Sequence, residues 1–212
     1  SSDLRDPMSR PLIESGRMDA LIDGIFAIAS TLLVLELTSH AIGNVTTSGE
    51  FLAGLLGMGD QFISFLVSFL LLCLLWMAHV RLFTYIAYID GNLMRINVLQ
   101  LLFIVLIPFS TVVDTDYADI WLGRLVMPST VFPAILLSWL GWCYVLRHRS
   151  LLVPDVAEAD IADMSRASLI AVLLSALTVA LAPFIGSWAF LAFALRPVFD
   201  AIRERRRATT TA

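Results

Sequence analysis

The chain has 212 residues, 58% of them apolar and 15% charged, with a formal net charge of −4 and a mean hydropathy of +0.84. Soluble domains average about 45–50% apolar and about 25% charged, and one core of this size cannot hide so much apolar surface. The expected solvent is therefore a lipid bilayer. Residues 1–16 are polar, lack a signal-peptide cleavage pattern and read as a tail. Apolar stretches at 20–39, 59–80, 93–113 and 128–146 each have about the length needed to cross roughly 30 Å of hydrocarbon. Residues 40–55, rich in Gly, Thr and Ser with Glu50 as their one acid, read as an exposed linker. Residues 150–165 carry Asp155, Glu158, Asp160 and Asp163 and read as a solvated loop. The runs 167–182 and 184–202 flank a break at Ala182-Pro183-Phe184-Ile185-Gly186-Ser187 and are read as two short spans joined by a turn. Residues 203–212 form a basic tail, whose Arg203–Arg207 cluster suits anionic headgroups.

The expectation is an all-α polytopic protein with six spans within residues 17–202 and no internal repeat. Six spans put both ends of the chain on one side. All 14 basic residues are arginine, and this segmentation places 13 of them on that side, leaving only Arg124 opposite. By the positive-inside rule both termini are cytoplasmic. Asp114, Asp116 and Asp119 fall in an outer loop, with Tyr117 and Trp121 as outer aromatic anchors and Tyr85, Tyr88 and Tyr144 as inner ones. The basic excess of a nucleic-acid binder is missing. So are the glycine-rich strings of a nucleotide site and the HExxH and GxSxG strings of hydrolases. Cys73 and Cys143 stand in apolar runs and read as free thiols, and His40, His79 and His148 lie too far apart in the segmentation for a metal site. No cofactor is expected.

Polar residues inside the first span carry the functional question. Asp23 stands about one turn inside the apolar run, behind Arg17. An ionised Asp there must face protein or a water-filled cavity. It reads first as a hydrogen-bonding post and second as a group touching permeating ions. Trp76 and His79, three apart on the second span, and Asn97 with Arg95 on the third lie at similar depth, so Asp23, Trp76, His79, Asp90 and Asn97 are expected in one polar network. Ile28, Leu32 and Leu35 share a helix face, with Thr31 beside them. That stripe is either packing or, around a symmetric pore, a stack of apolar rings that gate by dewetting.

The stretch Arg17, Leu21-Ile22-Asp23, Ala27-Ile28 resembles the signature of the endolysosomal potassium channel family and its bacterial relatives: Arg, three residues, Phe-Ser-Asp, three residues, Ala-Ile. The resemblance continues through Thr31-Leu32-Leu33-Val34-Leu35-Glu36, Trp76 with His79, Asn97, and Pro108-Phe109. Leu21 and Ile22 replace the family's Phe and Ser, which removes a hydroxyl. The resemblance implies a potassium-permeable channel in the bacterial inner membrane, a homotetramer with the first helix of each subunit around the axis. It implies a constriction at Ile28, further apolar levels at Leu32 and Leu35, a potassium-favouring layer at Thr31, and a structural network of Arg17, Asp23, Trp76, His79 and Asn97. Potassium would be the permeant ion, with lipid and the other subunits as partners. The alternatives are a proton-conducting channel or transporter using Asp23, His79 or Asp90, and a non-conducting membrane scaffold.

Overall fold

The computed structural model describes residues 13–35, 37, 45–190 and 193. A two-residue strand β1 (Ile13–Glu14) leads without a linker into α1 (Ser15–Leu35). After it come α2 (Ser48–Gly57) and α3 (Gly59–Phe83), then strand β2 (Tyr88–Ile89), α4 (Gly91–Val105) and α5 (Ile107–Asp116). The chain continues through α6 (Gly123–Arg147), a 3₁₀ turn (Arg149–Leu151), α7 (Glu158–Ile185) and a 3₁₀ turn (Gly186–Phe190). Among the described residues five segments are long and apolar enough to cross a membrane: 16–35, 59–83, 91–116, 123–147 and 158–185. The protein is integral to the membrane and helical. The expected sixth span, 184–202, lies mostly outside the described residues.

Three local readings change. Residues 48–55 are helix rather than linker, because Thr47 and Glu50 form a capping box: the Glu50 N–H donates to Thr47 Oγ1 at 3.2 Å, and the Thr47 N–H donates back to the Glu50 carboxylate. The N–H groups of Thr46 and Thr47 hold that carboxyl below its ordinary value. Residues 158–165 are the first turns of α7 rather than loop. Glu158 and Asp160 stand at its N-terminus, where the helix dipole favours negative charge. The third apolar run is divided at Leu106 into α4 and α5, since Pro108 in the first turn of α5 has no N–H to continue the ladder. The α7 helix ends at Gly186, whose φ of 59° is costly for any residue with a Cβ.

The core is built around α6, which packs against α4, α5 and α7, while α1 packs chiefly on α3 and touches α4 and α5. Trp142, Val145, Val131, Met127 and Ala134 of α6 are all buried to within 1%. In lipid such packing is held by dispersion and by hydrogen bonds between helices rather than by exclusion of water. Trp142 supplies both, filling the core and donating its Nε1–H to Ser165 Oγ of α7 at 2.8 Å. Between α3 and α5, Thr115 donates to Ser64 at 2.7 Å and Thr111 to Ser68 at 2.9 Å, a ladder of hydroxyls one helical turn apart.

Candidate functional site

The α1 helix buries one face only. Met18, Ile22, Phe26, Ala29 and Leu33, spaced four or three apart, are all buried against the rest of the chain. At 100° per residue the opposite face is centred on Ala20, Gly24, Ala27 and Thr31, with Ile28 and Leu35 on one flank and Asp23 on the other; all seven are exposed. Ile28 is 61% and Leu35 66% exposed, while Leu32, at 39%, lies at the margin of this face. Small residues at its centre would let another backbone approach closely. The Thr31 hydroxyl donates to the Ile28 carbonyl at 2.8 Å. With its hydrogen engaged on its own helix, the oxygen offers only lone pairs outward, the arrangement a cation requires.

The residues expected in one network are only partly joined. Trp76 Nε1–H donates to Asp23 Oδ1 at 2.8 Å, tying α3 to α1 at the edge of the open face. His79 is 4% exposed and lies among aromatic rings, with centroids 4.2 Å from Phe83 and 6.3 Å from Phe26. Neither of its ring nitrogens has a hydrogen-bond partner among the described residues. Asn97 is also 4% exposed, but its Nδ2 donates to Leu93 O at 2.8 Å within its own helix. Arg17 is exposed at the start of α1, with no ion pair to a described residue. Similar depth does not fix azimuth, and these side chains leave their helices in different directions.

Asp90 belongs to a second cluster. Its Oδ1 caps α4 by accepting from the Leu93 N–H at 2.9 Å, and its Oδ2 accepts from Tyr144 Oη at 2.5 Å. Asn92 Nδ2 donates to the same hydroxyl, and His148 stacks on the Tyr144 ring with centroids 4.2 Å apart. Burial pushes the Asp90 carboxyl up. Donation from Tyr144, Leu93 and Asn92 and the nearby His148 charge outweigh it, so the carboxyl titrates below its ordinary value. Sequence reading missed Tyr144 in this role, although an Asp before Gly91-Asn92 at a helix start signals a cap. Among the expected outer acids Asp116 and Asp119 are exposed, whereas Asp114 is buried on the inward face of α5. Cys73 and Cys143 are free and half-buried. No group of metal-ligating side chains occurs among the described residues.

Residues 17–108 match the family described as endosomal/lysosomal potassium channel TMEM175. A potassium channel of Streptomyces collinus is 34% identical over 104 residues, 49% of this chain and 49% of its own. The endosomal/lysosomal proton channel TMEM175 of Mus musculus is 31% identical over 159 residues, 71% of this chain and 31% of its own. The chain thus spans about half the length, or less, of these curated relatives. The crystal structure of a lysosomal potassium-selective channel TMEM175 homolog from Chamaesiphon minutus superposes with a TM-score of 0.68 at 24% identity. It covers 89% of this chain and 97% of that one, which establishes a common fold.

Proposed function

We propose that the chain, whose residues 17–108 match the TMEM175 family, is a member of that family and a potassium-permeable cation channel, conducting down the electrochemical gradient. Four subunits would stand around an axis lined by α1, in a bacterial inner membrane with both termini cytoplasmic. The observation that carries this reading is the uncovered face of α1, where apolar side chains flank a hydroxyl whose lone pairs point outward. Four copies of Ile28, Leu32 and Leu35 would make apolar rings. A bare cation meets a high desolvation cost there, so narrow rings dewet and close the path, and wider ones pass a partly hydrated ion. Four Thr31 hydroxyls would replace part of the water shell. Potassium yields its shell more readily than sodium because its charge is spread over a larger radius, so the layer favours potassium modestly. Asp23 and Trp76 hold α1 against α3, and the buried His79 and Asn97 stand inside the helix bundle rather than on the path.

Purified protein in liposomes under opposed potassium and sodium gradients tests the proposal. Potassium flux exceeding sodium flux is expected. Absence of cation flux, or labelling that finds cysteines at 28, 31 and 35 facing lipid, overturns it. A second reading, proton conduction, is favoured by one local feature: a buried histidine, His79, with unpartnered nitrogens beside α1. Reversal potentials measured across a pH and potassium series separate the two.

A further inference from the structure

One end of the bundle is closed by three short backbone segments lying side by side. Strand β1 pairs antiparallel with β2, Ile13 opposite Ile89 and Glu14 opposite Tyr88. On the other flank Ile86 bridges Leu152, the Ala87 N–H donates to Leu151 O at 2.9 Å, and the Val153 N–H donates to Tyr85 O at 3.0 Å. The α3–α4 connection is therefore the middle of a ribbon that joins the start of α1 to the α6–α7 connection. Its two flanks differ in strength. Ile86, Ile89 and Leu151 are all at least 97% buried, which pins the middle and the 151–153 side to the core. The β1 side rests on a pair of strands two residues long, and such pairs are marginal by themselves. Because β1 ends at Glu14 and α1 begins at Ser15, no slack separates this weak flank from the helix.

We propose that the ribbon is a coupling device: making and breaking of its β1–β2 pair, held against the fixed flank at 151–153, shifts the nearer end of α1 and thereby sets the fraction of time the α1-lined path conducts. A short backbone-paired strand opens at low free energy compared with the core, and it can serve as a two-state element where a buried helix face cannot. The proposal rests on the reading of α1 as pore lining.

The test uses full-length protein with Cys73 and Cys143 replaced by Ser. Glu14→Cys with Tyr88→Cys places two thiols at Cα partners of an antiparallel pair, a spacing that a disulfide accepts. Oxidation is expected to lower potassium flux roughly fivefold, the population shift of about one net hydrogen bond. Reduction restores the flux, and the potassium-to-sodium ratio stays constant throughout. Val153→Pro deletes one ribbon donor where the preceding Leu152 is already extended (φ −74°, ψ 152°), as a residue before proline must be. It should raise flux by a similar factor with the ratio again constant. A disulfide that forms by gel mobility without changing flux, or a Val153→Pro protein with parental flux, overturns the coupling. Ile28→Asn in the same background reports on the pore separately. If it changes the ratio while the lock does nothing, the coupling alone fails; if it leaves the ratio unchanged, the pore reading fails and the coupling falls with it.

Discussion

Helices α1 and α6 are both long and apolar, yet they sit in opposite circumstances. The α6 helix is enclosed by α4, α5 and α7 and spends its residues on packing, with Trp142 reaching α7. The α1 helix gives one narrow face to its own subunit and leaves the other bare. Two prolines inside α6, Pro128 and Pro133, are tolerated because neighbouring helices surround it, while α1 carries Asp23 on the flank of its open face and Thr31 at its centre. Similar apolar character thus conceals a division between a helix that organises the bundle and one whose second face the rest of the chain leaves uncovered.

The comparison can be broken by substitutions on each side. Trp142→Ala removes the largest fully buried side chain and the donor to Ser165 Oγ, which keeps its own bond to the Ile161 carbonyl. It should cost about 3–5 kcal/mol, read as a lowered melting temperature and loss of monodisperse protein on size exclusion. Ile28→Asn should leave the melting temperature within the small change typical of exposed sites, about 0.5 kcal/mol, while raising current and pulling the potassium-to-sodium ratio toward unity in reversal-potential measurements. Asp23→Ala, which removes the acceptor of Trp76, should cost about 1–2 kcal/mol. Its readout is reduced oligomer yield rather than altered selectivity. Thr31→Val should lower the potassium-to-sodium ratio with assembly unchanged. The smallest effect is expected at Asp90, whose carboxyl is held below its ordinary value of 3.8. Its stabilising contribution is complete above that value and is lost as pH falls through the folded one. Asp90→Asn should therefore flatten the loss of melting temperature below about pH 4, and Tyr144→Phe should flatten it in part.

Apolar length alone located five spans, since hydrocarbon thickness leaves few alternatives. Their ends were less legible. Apolar length puts the fourth at 128–146, but α6 starts five residues earlier at Gly123 and carries Pro128 and Pro133 in its interior, as packed helices can. The α2 helix escaped notice, although Thr47-x-x-Glu50 is a written capping signal, because Gly49 and Gly54 and the polar residues before it suggested a coil. The stripe of Ile28, Leu32 and Leu35 is legible as a face, and the structure adds that the rest of the chain leaves Ile28 and Leu35 uncovered, with Leu32 at the margin. The polar network was legible only as a list of depths. Trp76 finds Asp23, whereas Asp90 turns to Tyr144, a partner 54 residues away that no local spacing announces.

The interruption at Leu106 has a mechanical consequence. The third membrane-crossing segment is two rods meeting at a joint, because Pro108 cannot donate to the carbonyl of Ile104. Its lower rod is fastened to α6 through Asp90 and Tyr144, its upper rod to α3 through Thr111 and Thr115. Because α6 packs along both rods and α3 chiefly along the upper one, the missing bond lets α5 adjust to α3 at a smaller cost to the contact between α4 and α6.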